Sequence, residues 1–489
     1  MRAVLHGIGF LLHVPGLMAL VSIGVCLLAE EPWGVPGLAL TAALGLGAGQ
    51  ALVWSTRGSH GFQRYQSIQV AGISWMLISL LGALPFLLTA ALAPGGAGAV
   101  AMEAFRLPSY ALFESVSGFT STGLTVVERA SALPAHIQWW RSFTEWIGGI
   151  GVILLLLAVI PAERGAPNLY FSEAREEKIL PTVKSTVRAI WLIYLGYTLA
   201  GVGLLWVAGE PAWRALNHGM TAIATGGFSI TDDSLASTPA HIQLAYLPLM
   251  IAGAISFLVH YRVLVQRDLR RGLWQPTEAR LLLWLLLAGS LLLVAERWVF
   301  QGELEWVSSI FLWTSALTTT GFATVDLAAW ADAPLLLLLT AVLMGGMAGS
   351  TSGGVKLLRV NLLLADLRAN LARLRASRHE VMRVRHDGRR LTLDAMNELS
   401  RAAALLVGTF MLLWLLGVFV MLHLLPEDTR LAHVFFDTAS ALFNSGLSTG
   451  VADASLTPAG AAVMSLLMLL GRLEIFPLLV LAAWAAGRH

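Results

Sequence analysis

Four pairs of residues in this 489-residue chain place a hydroxyl directly before a glycine: Thr122-Gly123, Thr225-Gly226, Thr320-Gly321 and Ser445-Gly446. Aligned on the glycine they read Ser121-Thr122-Gly123-Leu124, Ala224-Thr225-Gly226-Gly227, Thr319-Thr320-Gly321-Phe322 and Asn444-Ser445-Gly446-Leu447. A cation stripped of its water needs replacement oxygens, and a ring of backbone carbonyls supplies them. Glycine permits the backbone angles that such a ring demands and a Cβ forbids. Hydroxyls brace the loop or offer a further oxygen. No carboxylate occupies the aligned positions, which favours a carbonyl-lined monovalent site over an acidic ring suited to divalent ions. A single Thr-Gly pair is commonplace; four in register imply a plan.

Two further stretches carry unusual chemistry. Gly345, Gly346, Gly349, Ser350, Thr351, Gly353, Gly354 and Lys356 interrupt an otherwise apolar run. So many glycines, at about 1 kcal/mol each relative to alanine, will not hold a regular helix. A flexible intramembrane loop beneath a pore accounts for the break. Lys356 is charged at a depth where charge is costly, so it is either functional or snorkels to the membrane edge. Near the C-terminus, Arg472 and Glu474 lie in another apolar run, within Gly471-Arg472-Leu473-Glu474. A guanidinium there stays charged and must face water or be neutralised, by Glu474 or by the glycine-rich loop. Below a cation site its charge makes sense as a gate or coupling element.

Other readings fall away. The stretch ending at Lys356 brushes against a phosphate-binding loop, but Val355 separates Gly354 from Lys356 and no Ser or Thr follows. Gly446-Leu447-Ser448-Thr449-Gly450 matches the nucleophile elbow of serine hydrolases, which belongs on a strand-to-helix turn; an intramembrane serine hydrolase is the remote alternative. The histidines show no metal-ligand spacing, and one cysteine, Cys26, excludes a disulfide framework. Nothing in the charge balance points to nucleic acid.

The elements that must position these residues are membrane helices. Hydrophobic residues make up 56% and charged residues 13%, against roughly 25% charge in soluble domains. Runs of about 20 apolar residues, enough to span, occur near 8–29, 36–55, 69–93, 136–161, 187–208, 242–265, 278–299, 334–365 (interrupted), 402–425 and 459–486. The first reads as a retained helix rather than a cleaved signal. Four shorter amphipathic pieces, 101–121, 212–224, 304–319 and 430–444, each end in the hydroxyl-glycine signal. They are too short to cross, so they enter and turn back. The expected fold is an all-α polytopic membrane protein. Two extra N-terminal helices (1–66) precede four pseudo-symmetric helix, pore-loop, helix repeats around a central pore: 67–165, 166–272, 273–365 and 401–489. A basic segment, 366–400, interrupts the last interval, and the alternation around Asp387-Gly388 predicts a hairpin. Arginine and lysine counts place both termini in the cytoplasm and all four loops outside.

With these residues in place the chain resembles the Trk/Ktr/HKT superfamily of potassium transporters, and within it the TrkH-type membrane subunit. The resemblance rests on Phe113–Thr125, Trp146-Ile-Gly-Gly-Ile-Gly, Ala224-Thr-Gly-Gly-Phe-Ser229, Thr319-Thr-Gly-Phe322, Gly345–Lys356 and Gly471–Glu474. It implies potassium ions as the transported species and a homodimer in a bacterial inner membrane. It also implies a cytosolic ring of TrkA-like regulatory subunits that bind the nucleotide. In the family, glycine at all four filter positions goes with potassium selectivity and serine at the first favours sodium. The family's intramembrane loop and last-helix arginine act as the gate, which carries over to Gly345–Lys356 and Arg472. Asn444-Ser445 departs from the two threonines usual there. Passive uptake and sodium- or proton-coupled symport both remain open.

Overall fold

The computed structural model describes residues 2–58, 64–151, 182–374, 384–386, 389–391, 393–475, 477–478 and 481. Among them, six helices have the length and apolarity to cross a bilayer: Arg2–Leu28, Pro32–Ser55, Tyr65–Leu92, Lys184–Val207, Thr277–Gln301 and Met396–Leu422. Their outer faces carry bare leucines, such as Leu192, Leu199, Leu291, Leu405 and Leu412, all more than half exposed. Surface of that kind suits lipid, and the chain is a multi-pass membrane protein. The first two helices pack backbone to backbone: a Cβ added at Gly9 would lie 2.9 Å from the Gly49 carbonyl, and one at Gly45 2.9 Å from that of Leu12.

Four repeats follow. Each has a long first helix, a half-helix, a loop and a short second helix. The half-helices are Pro108–Phe119, Ala212–Ile223, Trp306–Leu317 and Leu431–Leu442, each of 12 residues. At 1.5 Å per residue they reach about 18 Å, far short of a bilayer core of about 30 Å. Their C-terminal halves are buried throughout, so their polar backbone ends meet protein rather than lipid.

The second helices are Ala135–Ile150, Ala240–Ala254, Asp332–Leu343 and Pro458–Arg472, of 16, 15, 12 and 15 residues. Continuous apolar runs over 136–161, 242–265 and 459–486 suggested full spans. Instead each helix stops near a glycine 14 residues beyond its N-cap residue: Gly148 after Pro134, Gly253 after Pro239, Gly345 after Ala331 and Gly471 after Thr457. Past Gly253 the backbone is extended at Ile255, and the chain bends by 105° into Phe257–Leu264. Past Gly148, Gly151 takes φ +97°; past Gly471, Glu474 and Ile475 take +49° and +69°. Apolar composition continues through these breaks in the sequence, so hydropathy alone cannot register them. Residues 152–181 and 482–489 lie outside the described residues.

The expected hairpin forms between Val384–His386 and Arg389–Leu391, paired antiparallel with His386 opposite Arg389. Its turn, Asp387-Gly388, lies outside the described residues. It connects Leu357–Arg373 to the long helix Leu393–Leu422.

Candidate functional site

All four half-helices end the same way. After the last helical turn one non-glycine residue adopts left-handed backbone angles: Ser121, Thr225, Thr319 and Asn444, with φ between +51° and +53°. In each repeat that residue's N–H donates three residues back, as Ser121 N does to Gly118 O at 2.9 Å. The next N–H donates five back, as Thr122 N does to Ser117 O at 2.9 Å. This is the Schellman ending, whose left-handed residue is usually glycine. Placing Thr or Ser there costs about 1–2 kcal/mol, and strain of this kind persists only where the surroundings over-determine it. The ending leaves the negative pole of each half-helix beneath the loop that follows.

Two residues further on comes a glycine with φ between +80° and +95°: Gly123, Gly227, Gly321 and Gly446. These four close a ring. A Cβ on Gly123 would lie 1.9 Å from the Gly226 carbonyl oxygen, and one on Gly227 2.1 Å from that of Thr320. On Gly321 it would lie 2.6 Å from Ser445 O, and on Gly446 2.0 Å from Thr122 O. Each repeat's glycine thus abuts the next repeat's carbonyl, and the carbonyls of Thr122, Gly226, Thr320 and Ser445 take the same place in the four contacts.

The register in the second repeat therefore differs from the sequence alignment by one residue. Thr225, Gly226 and Gly227 take the places of Ser121, Thr122 and Gly123, and Ala224 is the helix cap beside Thr120, Thr318 and Phe443. The Thr-Gly-Gly run offers two glycines, and only backbone angles choose between them. A signal was available: each ring glycine is followed by a large buried apolar residue, Leu124, Phe228, Phe322 or Leu447. The glycines at the second-helix breaks form another fourfold set that sequence reasoning missed. Gly148 and Gly471 press on the half-helix carbonyls of Phe119 and Leu442, where a Cβ would lie 2.0 and 1.8 Å away.

Behind the ring, one half-helix position fastens the outgoing loop in three repeats. Glu114 accepts from the Thr125 hydroxyl at 2.9 Å and pairs with Arg141 at 2.7 Å, both side chains being buried. Arg141 reaches across to donate to Ser229 O at 2.8 Å and covers the Phe228 ring at 4.1 Å. His218 occupies the corresponding place in repeat 2: its Nε2 accepts from Ile230 N at 3.1 Å, so its proton sits on Nδ1, 2.7 Å from the Tyr246 hydroxyl. In repeat 4, Asp437 accepts from Ser448 Oγ, Thr449 N, Thr449 Oγ1 and Val451 N at 2.6–3.0 Å. Repeat 3 has Leu312 there. Its loop is tied outward instead, Ala323 N donating to Ser234 Oγ at 3.1 Å. Ser448 thus braces a loop that follows a half-helix, and the hydrolase reading of Gly446–Gly450 fails.

On the side where the second helices end, the loop Gly345–Lys356 folds back on itself, Gly345 N donating to Val355 O at 3.0 Å and Val355 N to Leu343 O at 3.2 Å. Inside it, the Ser350 and Ser352 hydroxyls lie 2.8 Å apart and Gly349 turns at φ +74°. Its tip touches three repeats. The Thr351 hydroxyl lies 3.1 Å from Ile223 O and 2.9 Å from Gly253 O, and accepts from Thr225 Oγ1 at 3.2 Å. Gly353 N donates to Thr319 Oγ1 at 2.7 Å and Gly354 N to Phe443 O at 2.8 Å. A Cβ on Gly353 would stand 2.4 Å from that same Phe443 carbonyl, and Gly346 N is held by Ser352 Oγ at 2.9 Å. The first and fourth repeats brace differently. Ser121 Oγ donates to Glu145 O at 3.0 Å, while Asn444 Nδ2 donates to Met468 O and to Thr122 Oγ1, each at 2.9 Å.

Arg472 joins the loop to the first repeat, donating to Thr351 O at 3.1 Å, to Gly149 O at 3.1 Å and to Gly148 O. Glu474 does not neutralise it; that carboxylate pairs with Arg359. Backbone carbonyls serve Arg472 instead, since the breaks at Gly148 and in the loop leave several without helical partners. Lys356 does not extend freely to the membrane edge but donates to Ser352 O within the loop. A cavity of about 70 Å³ lies here, lined by Ser350, Ser352, Asn444, Lys356, Arg472 and Glu474 among others.

Residues 74–486 match the model of a family described as TrkH, cation transport protein. The TrkH potassium uptake protein of Salmonella typhimurium is 30% identical over 457 residues, covering 90% of each chain. A cation transporter of Methanocaldococcus jannaschii is 29% identical over 99% of this chain and 95% of its own length. The crystal structure of the potassium transporter TrkH from Vibrio parahaemolyticus superposes with a TM-score of 0.84 at 26% identity, covering 98% of both chains. The chain belongs to the TrkH family of cation transport proteins.

Proposed function

We propose that this protein carries potassium into the cell through the ring of Thr122, Gly226, Thr320 and Ser445 carbonyls. The closed contact of each ring glycine with the next repeat's carbonyl supports the reading, because it brings the same backbone carbonyl of all four repeats into one ring. Around them, four half-helices converge with their negative poles toward the ion. The relatives named as potassium uptake proteins supply the ion. Membrane potential contributes about 2.3 kcal/mol per charge per 100 mV to cation entry, so passive flux suffices.

Gly345–Lys356 and Arg472 act as the gate in this proposal. The loop tip and a fixed positive charge lie on the path away from the ring, and a cation crossing there meets repulsion until both move. The relatives' designation as Trk system proteins supports work alongside other components. We place the protein as a homodimer in a bacterial inner membrane, with its termini and the hairpin on the cytoplasmic side beside a TrkA-like nucleotide-binding partner.

The test is ⁸⁶Rb⁺ uptake into proteoliposomes, competed by potassium or sodium. Potassium competes far better in the parent protein, and Gly123→Ser narrows the gap; an unchanged preference in that variant sinks the ring assignment. Repeating uptake at zero potential with and without a sodium or proton gradient decides between passive flux and symport. Dependence on either gradient would establish coupling.

A further inference from the structure

We infer that Glu145 is a positioning residue for the second quarter of the ring, its carboxyl filling the place that a hydroxyl side chain fills in the other three. This rests on the ring reading above. At the carbonyl-bearing position three repeats have hydroxyl residues, Thr122, Thr320 and Ser445, and repeat 2 has Gly226. The Thr122 and Thr320 hydroxyls lie 2.7 Å from those of Thr120 and Thr318. Repeat 2 lacks both partners, since Ala224 replaces the first and Gly226 the second.

The space is not empty. A Cβ added at Gly226 would stand 2.5 Å from the carboxyl carbon of Glu145 and 2.5 Å from its Oε2. Glu145 is fully buried on the second helix of repeat 1. Both of its oxygens face the Phe228 N–H, at 3.2 and 3.1 Å, immediately after the ring glycine Gly227. Its own backbone carbonyl accepts from Ser121. One residue therefore braces two quarters: the first through its main chain and the second through its side chain. Among the described residues no cationic side chain pairs with it, Arg141 being turned to Glu114. The corresponding residues of the other second helices are Met250, Val342 and Met468, none able to do this.

A buried carboxyl is expensive to keep, and this one faces the Phe228 backbone N–H beside the ring. With that acceptor gone, Phe228 N–H is left buried and unpaired, and the Gly226-Gly227 backbone, free of side chains, loses the carboxyl packed against it. The ring then relaxes at one quarter and discriminates less by ion size.

The experiment is the ⁸⁶Rb⁺ competition assay on Glu145→Ala, Glu145→Gln, Gly226→Ser and the double variant Gly226→Ser/Glu145→Ala, with thermal stability of each purified protein measured alongside. Glu145→Ala lowers potassium-over-sodium preference about tenfold. Glu145→Gln, which keeps the volume and an acceptor, retains most of the preference. Gly226→Ser alone lowers the preference, because its Cβ pushes the carboxyl aside, and the double variant, with a hydroxyl in the vacated space, exceeds both single variants. Wild-type preference in Glu145→Ala overturns the inference, as does a double variant no better than Glu145→Ala. Equal loss in Glu145→Gln and Glu145→Ala overturns it too, since charge rather than bracing would then matter. If Gly123→Ser is also without effect, the ring reading itself has failed; if only the Glu145 variants are silent, this inference alone has.

Discussion

Gly227→Ala and Gly226→Ala differ by one position and should differ sharply in effect. Gly227 takes φ +80°, where alanine costs about 1–2 kcal/mol. Its Cβ would lie 2.1 Å from the Thr320 carbonyl oxygen, and backbone must move to relieve it. Relief means turning that oxygen by about 1 Å out of its packed position, which removes one of four ligands from a desolvated cation. Contacts to a charged group contribute about 1.5–3 kcal/mol each. The sum, about 2.5–5 kcal/mol, corresponds to roughly two to four orders of magnitude in transport or ion affinity. Gly226 has no left-handed φ, and its Cβ meets the Glu145 side chain rather than backbone. A side chain can swing aside, so that variant loses about tenfold or less. Uptake of ⁸⁶Rb⁺ by cells lacking other potassium uptake, normalised to protein in the membrane, measures both. Greater impairment in Gly226→Ala than in Gly227→Ala would refute the ring register.

Arg472→Ala removes the donors to Thr351, Gly148 and Gly149 and the charge below the ring; basal potassium flux should rise, and a normally folded variant with unchanged or lower flux argues against a gating charge. Asp437→Asn weakens the acceptor that gathers Ser448, Thr449 and Val451. It should lower potassium preference, whereas Leu312→Ala, at the same place in repeat 3, should leave it unchanged because no loop donor depends on that residue. Glu31, between the first two helices, would be raised by burial, but hydrogen bonds from His136 and Ala135 hold its pKa below the ordinary 4.5. A depressed carboxyl stabilises above its unfolded pKa and loses that contribution as pH falls through the folded value. The melting-temperature gap between the parent and Glu31→Gln should therefore be full at pH 7 and shrink below pH 4.5. A gap that widens on acidification contradicts the arrangement.

Much of this architecture was legible in the residues. Four Thr/Ser-Gly pairs after short amphipathic stretches announce half-helices and loops, because polar, glycine-rich chain at membrane depth must be sheltered by protein. The glycine run at 345–354 likewise declares a break. What stayed hidden depends on angles and partners rather than on residue types. Thr225-Gly226-Gly227 reads equally well in two registers until φ is known. The breaks after Gly148, Gly253 and Gly471 lie in apolar stretches whose hydropathy does not change. Glu474 stands two residues from Arg472, yet the positive φ of Glu474 turns it toward Arg359. Glu114, His218 and Asp437 share a position only after the helix ends are superposed, and three different side chains doing one job leave no common letter in the sequence.

The loop Gly345–Lys356 is fastened to the left-handed residues of two quarters: Thr351 to Thr225 and Gly353 to Thr319. Those residues immediately precede the ring carbonyls of Gly226 and Thr320. Withdrawing the loop removes two of the supports that hold strained backbone in place, so, with the ion bound at the ring as proposed above, loop position and ion affinity are thermodynamically linked. Linkage is reciprocal: whatever affinity the ring loses when the loop leaves, the loop loses in stability when the ring empties. If the ring holds the permeant ion and the loop is the barrier, as proposed above, the ion is also an effector of its own passage.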